Sequence, residues 1–157
     1  MTQEIILALD AMGGDQAPEM VLRGANVARI RYPNLRFVIF GDESVILPLL
    51  RRFKKLASIC NIEHTKEKIL NEDTLAVIIR QRRNSSMSLS IHSVGSGQTQ
   101  GIVSAGNTGA LMAFSKIVLK TLPGIDRPAM GSIFPTQRGE SVMLDLGANI
   151  DCSSEHL

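Results

Sequence analysis

The residues best suited to chemistry lie in GIVSAGNTGALMA, residues 101–113. A short apolar run, residues 101–104, turns into a helical pattern through a loop of small residues. Gly106 and Gly109 let the backbone come close to a ligand, and Asn107 or Thr108 caps the helix that follows. A strand-to-helix turn of this kind points amide N–H groups and the positive helix end outward, which suits an anion such as phosphate. It also falls at the carboxyl end of a strand, the ligand edge of an open α/β sheet. The pattern alone leaves a second reading equally open: a tight turn that simply needs small residues. The motif is neither the phosphate loop of nucleotide hydrolases nor a dinucleotide fingerprint, because the glycine spacing differs and the lysine is missing. Ser104 is the nearest serine. Without a G-x-S-x-G elbow, a binding or structural role suits it better than that of a nucleophile.

Two further constellations complete the candidate set. In GIDRP, residues 124–128, Arg127 is the only cation. It suits either a paired N–H clamp on phosphate or a salt bridge to an acid such as Asp126. DAMGGD (10–15) and LDLGAN (144–149) each place an aspartate after an apolar run and before a glycine loop. Asp10 and Asp145 therefore reach one sheet edge. Bare carboxylates repel phosphate, so Asp10, Gly13, Gly14, Asp15 and Asp145 are expected to support the site, by accepting loop N–H groups or orienting Arg127. Asn149 either donates to a substrate oxygen or closes its own turn. His64, His92 and His156 share no helix face with another ligand-type residue, so neither a metal nor a cofactor is expected.

The elements that must position these residues alternate. Apolar runs at 4–9, 35–40, 58–62 and 101–104 read as strands. Helical patterns follow at 18–32, 44–55 (with Pro48 near its start), 73–83, 87–94 and 108–120. Residues 131–134 and 141–146 read as a hairpin, which makes the sheet mixed. This order predicts a single α/β domain over 1–157, a three-layer α/β/α sandwich with a mostly parallel sheet. The closing Ser-Ser-Glu-His-Leu reads as a helix start that does not continue, so a chain cut short is expected.

Composition limits the function classes. The chain is 44% hydrophobic with a net charge of +2, so it can build a core and lacks the basic excess of a nucleic-acid binder. No apolar run reaches membrane-spanning length and no signal-peptide pattern opens the chain. Cys60 and Cys152 are isolated, which fits a reducing cytoplasm and an inert, buried role. Basic residues cluster at Arg51, Arg52, Lys54 and Lys55, and again at Arg80, Arg82 and Arg83. They form either solvated faces or a landing surface for an acidic partner.

Taken together, DAMGGD, SAGNTGALMA (104–113), GIDRPA (124–129) and LDLGANIDC (144–152), with RRNSSM (82–87), resemble the bacterial phosphate acyltransferases of fatty acid and phospholipid synthesis. The blocks keep that family's order and similar spacing across essentially the whole chain. The resemblance implies a Rossmann-like fold similar to phosphotransacetylases and isocitrate dehydrogenases. It also implies transfer of a fatty acyl group from acyl carrier protein to inorganic phosphate. Asn107, Arg127 and Asn149 would act on the reacting atoms, and Ser104, Gly106, Asn107, Thr108 and Gly109 would bind phosphate. Family members run to roughly twice this length. They are implied to be cytoplasmic homodimers that bind membranes peripherally, through contacts expected in the other half. Three alternatives stand beside this reading: a phosphotransacetylase using coenzyme A thioesters, a dehydrogenase of the isocitrate type, and an inactive phosphate- or carrier-binding module. The dehydrogenase is disfavoured by the lack of a nucleotide pattern.

Overall fold

The structure, a computed structural model, describes residues 3–70, 72–125 and 128–144. Its contacts divide it into two units, with the boundary between Leu119 and Lys120.

The first unit alternates strands and helices. In order these are β1 (Ile5–Asp10), α1 (Glu19–Arg31), β2 (Leu35–Gly41), α2 (Glu43–Leu50), α3 (Lys54–Ala57), β3 (Cys60–His64), α4 (Leu75–Gln81), α5 (Ser86–Gly95), β4 (Gly101–Val103) and α6 (Thr108–Leu119). The strands form one parallel sheet in the order β3-β2-β1-β4. Ile5 pairs with Leu35, Phe37 with Cys60 and Leu7 with Gly101.

The central strands are apolar on both sides because both sides are covered. Leu7, Leu9, Phe37 and Ile39 pack with Leu22, Ala25, Ile46 and Leu56 from α1, α2 and α3. Ala8, Val38 and Phe40 turn to the other face, toward Leu89 of α5 and Ile102. A further cluster of Ile78, Met87, Ile91, Ala110 and Phe114 ties α4, α5 and α6 together. The result is the Rossmann-like α/β/α arrangement. After β1 the chain adds β2 on one side, and later returns to add β4 on the other. The direction of winding therefore reverses between β1 and β4, the place where open α/β sheets leave a crevice at their carboxyl ends.

The single helix expected over 44–55 is in fact two. Arg52 and Phe53 donate to carbonyls three residues back, and Phe53 leaves helical geometry before α3 begins. Leu50 and Leu56 explain the break, since both are buried in the same cluster. Six residues apart on a straight helix, they would point about 120° away from each other. The helix expected from Met87 starts at Ser86, where Ser85 accepts the Ser88 N–H as its cap.

In the second unit, β5 (Gly131–Thr136) and β6 (Gly139–Leu144) form an antiparallel hairpin with Ile133 opposite Val142. The hairpin was expected to make the main sheet mixed. It instead forms a two-stranded sheet of its own, and the four-stranded sheet is wholly parallel. Among the described residues, no helix is long and apolar enough to cross a membrane.

Candidate functional site

Asp10 ends β1 and Ser104 follows the end of β4, so the two meet at the carboxyl edge where the winding reverses. Asp10 is only 1% exposed. Its Oδ2 accepts from Ser104 Oγ at 2.7 Å, and its Oδ1 accepts from Ser86 Oγ and from the Met12 N–H at 3.3 Å. No cation pairs with this carboxylate among the described residues. Two hydroxyls and an amide take that place, so that the buried group is hydrogen-bonded.

Ser104 passes the order onward, since its Oγ accepts from the Gly106 N–H at 3.1 Å. Asp10, Ser104 and Gly106 thus form a relay that fixes the turn into α6. Gly13 and Gly106 weld this turn to the DAMGGD loop. A Cβ on Gly13 would come within 2.9 Å of the Gly106 nitrogen, and one on Gly106 within 3.2 Å of the Gly13 Cα. No side chain fits between two backbones at that spacing. The small cavity beside them, about 20 Å³, is lined by Asp10, Gly13, Ser86, Met87, Gly106 and Asn107. It has room for about one water molecule.

The turn's donors divide into two groups. The Gly106 N–H is taken by Ser104, and the Ala110 N–H by Asn107 Oδ1 at 2.9 Å, so Asn107 and not Thr108 is the cap. The Leu111 N–H goes to the Asn107 carbonyl. Thr108 and Gly109 are exposed, and their N–H groups meet no acceptor among the described residues. The Asn107 N–H is likewise unclaimed, so any offer of amides to an anion at this helix start is made at 107–109, at the head of a twelve-residue helix. Gly109 has room for a side chain, because nothing lies within 3.4 Å of a Cβ built there.

The remaining expected residues fall elsewhere. Gly14 sits at φ +99° in the loop after β1, and Asp15 is exposed beside it. Arg127, Asp145 and Asn149 lie outside the described residues, as do Asp126, Cys152 and His156. Ser86 stands in the sequence only as part of the RRNSSM block, yet it is 2% exposed and bonded to Asp10 across 76 positions. Its only local signal is the Ser85-Ser86 pair opening a helix.

The two basic clusters differ in place. Arg51, Arg52, Lys54 and Lys55 lie between α2 and β3, at the amino edge of the sheet. Arg52 nonetheless reaches back to the start of α1, where its Nη1 lies 3.4 Å from Glu19 Oε1. Arg82 lies just before α5 and makes two hydrogen bonds to Asp73, at 2.9 and 3.0 Å. Arg82, and next the Leu70 N–H, hold the Asp73 carboxyl below the usual range. Burial pushes the Cys60 thiol up to about 11, so it stays protonated and inert near neutral pH.

Comparison with known proteins gives one consistent result. The family model described as "Fatty acid synthesis protein" matches residues 5–157. The chain is similar to proteins named phosphate acyltransferase. It is 52% identical to the one from Paramagnetospirillum magneticum over 157 residues, all of this chain and 45% of that protein. It is 54% identical to the one from Rhodospirillum centenum and 48% identical to the one from Rhodospirillum rubrum, again over its whole length and over 44% and 45% of theirs. The chain thus spans a little under half the length of these curated relatives.

Proposed function

The chain belongs to the fatty acid synthesis protein family, and on that premise we propose that it is the N-terminal half of an acyltransferase that moves a fatty acyl group from acyl carrier protein to inorganic phosphate. The observation that carries this reading is the run of unclaimed amides from Asn107 to Gly109, held at the winding reversal by the Asp10–Ser104–Gly106 relay. Phosphate is a competent nucleophile whose chief difficulty is position, and a fixed set of donors supplies position.

In the proposed step, a phosphate oxygen attacks the thioester carbonyl. The C–O bond forms, the C–S bond breaks, and the carrier's thiolate takes up a proton. A thiol of ordinary pKa, about 8.5, leaves with little help. Arg127 neutralises the phosphate, and Asn149 donates to the developing oxyanion. No covalent enzyme intermediate is needed. The complete protein is read as a cytoplasmic homodimer that meets the membrane peripherally.

The test is acyl phosphate formation by the enzyme at the length of its relatives, with carrier-bound and coenzyme A-bound acyl donors. Turnover with the carrier-bound donor is expected. Preference for coenzyme A would make it a phosphotransacetylase, and phosphate binding without turnover a binding module. Arg127→Ala should raise the KM for phosphate by roughly ten- to a hundredfold, the weight of a charge-assisted hydrogen bond. An unchanged phosphate dependence removes Arg127 from the site.

A further inference from the structure

A groove of about 490 Å³ lies among α4, α5 and α6, and it shares no lining residue with the small cavity beside Asp10. Ile79, Leu89, Phe114, Ile117 and Val118 form its walls, and no carboxylate among the described residues lines it. Volumes of this size are ordinary for small-molecule sites.

Arg83, Asn84, Ser88 and His92 break the apolar lining. Arg83 is exposed at the groove. Its Nε donates to the Ile79 carbonyl, and no carboxylate among the described residues pairs with it. Ser88 is fully buried, lines the groove, and its Oγ has no hydrogen-bond partner. A helical serine usually donates to the carbonyl four residues back. Here residue i−4 is Asn84, which lies before the Ser85 cap and outside the helix, and its carbonyl accepts from Thr65 Oγ1 at 2.6 Å. The other serines of α5 are all satisfied: Ser86 by Asp10, Ser90 by the Ser86 carbonyl and Ser93 by the Ser90 carbonyl. An orphaned buried hydroxyl is costly, and it commonly marks a partner supplied from outside the chain.

We propose that this groove is a second binding site, for an aliphatic chain with an anionic head, whose tail lies along Phe114, Ile117 and Val118 and whose head meets Arg83 with the Ser88 hydroxyl behind it. A free fatty acid and an acyl phosphate share this chemistry. The inference does not rest on the acyltransfer reading. It also places the tail on the later turns of α6 and the head at the first turn of α5, the two helices whose first turns build the candidate site.

The test is calorimetric titration of the purified protein with palmitate and with dodecyl phosphate below their micelle concentrations, and with hexadecanol as the uncharged control. Saturable binding at one site is expected, weakened by about tenfold or more in Ile117→Glu and in Arg83→Glu. Hexadecanol should bind more weakly than either anion. Dodecanoate against dodecyl phosphate, matched in chain length, identifies the preferred head group. Both substituted side chains are exposed, and unchanged thermal unfolding verifies the fold. Arg83→Gln serves in place of the charge reversal should the latter fail to fold. Absence of saturable binding, or binding indifferent to Ile117→Glu, overturns the site. Equal affinity for hexadecanol overturns the role of Arg83.

Discussion

Asp10 is a structural hub before it is anything else. Its carboxylate is the acceptor for two buried hydroxyls, and the turn into α6 hangs on one of them through the Gly106 amide. Asp10→Ala removes both acceptors at once. Burying a donor without a partner costs about 1–3 kcal/mol, so a loss of roughly 2–3 kcal/mol is expected after the hydroxyls reorient. Urea unfolding measures it, with the exposed Asp15→Ala as the control expected to change little. Equal effects of the two substitutions would sink the hub.

The two glycines of the turn separate in the same way. Gly106→Ala should destabilise, because its Cβ meets the Gly13 backbone at 3.2 Å and Met87 Cε at 2.9 Å, and only the methionine can move. Gly109→Ala meets nothing within 3.4 Å, so it should leave thermal stability unchanged or raise it by up to about 1 kcal/mol, as alanine does in helices. If Gly109 is where phosphate approaches, the same substitution raises the KM for phosphate in the complete enzyme.

At the scale of elements, the segment from 65 to 85 carries Ser86 to Asp10. It is tied by the Thr65 hydroxyl to the Asn84 carbonyl, by Ser86 N–H to the Glu67 carbonyl, and by the Arg82–Asp73 pair. The pair makes a signed prediction. Asp73 has a lowered pKa in the folded state. Its contribution is therefore present above the unfolded carboxylate value, about 3.9, and is lost as pH falls through the lower folded value. The stability gap between the wild type and Asp73→Asn should be constant near neutrality and close below about pH 4. A gap that persists at lower pH would mean that the substitution acts through shape, not charge.

This segment also marks the limit of what the amino-acid pattern revealed. The apolar runs that became β1 and β2 were legible because burial on both faces leaves a near-continuous signature. The Asn107 cap was legible because capping is local. The break between α2 and α3 was not, because Leu50 and Phe53 continue a helical spacing and only the shared core shows why the chain must turn. Ser86 was half legible. Its place at a helix start is a local fact, but its bond to Asp10 depends on packing α5 over β1 and cannot be seen in spacing.

For the whole molecule, the contrast between the two units carries the last prediction. β1 is flanked by β2 and β4 and covered on both faces, whereas every described residue of β5 and β6 is exposed. The hairpin carries apolar side chains on both of its faces, Ile133, Val142 and Leu144 on one and Phe134 and Met143 on the other. A two-stranded ribbon is marginal in water, and hydrogen-exchange protection follows burial. In dilute solution the amides of β5 and β6 should therefore exchange orders of magnitude faster than those of β1 and β2, which should open only with global unfolding. Apolar residues on both faces of so small a sheet also imply that it is meant to be covered. If a second copy of the protein does this, as the homodimer reading holds, protection at Ile133 and Val142 should rise with protein concentration while that of β1 stays constant. Protection that equals β1 at every concentration would show that the chain itself already covers the hairpin, and would remove this support for the dimer.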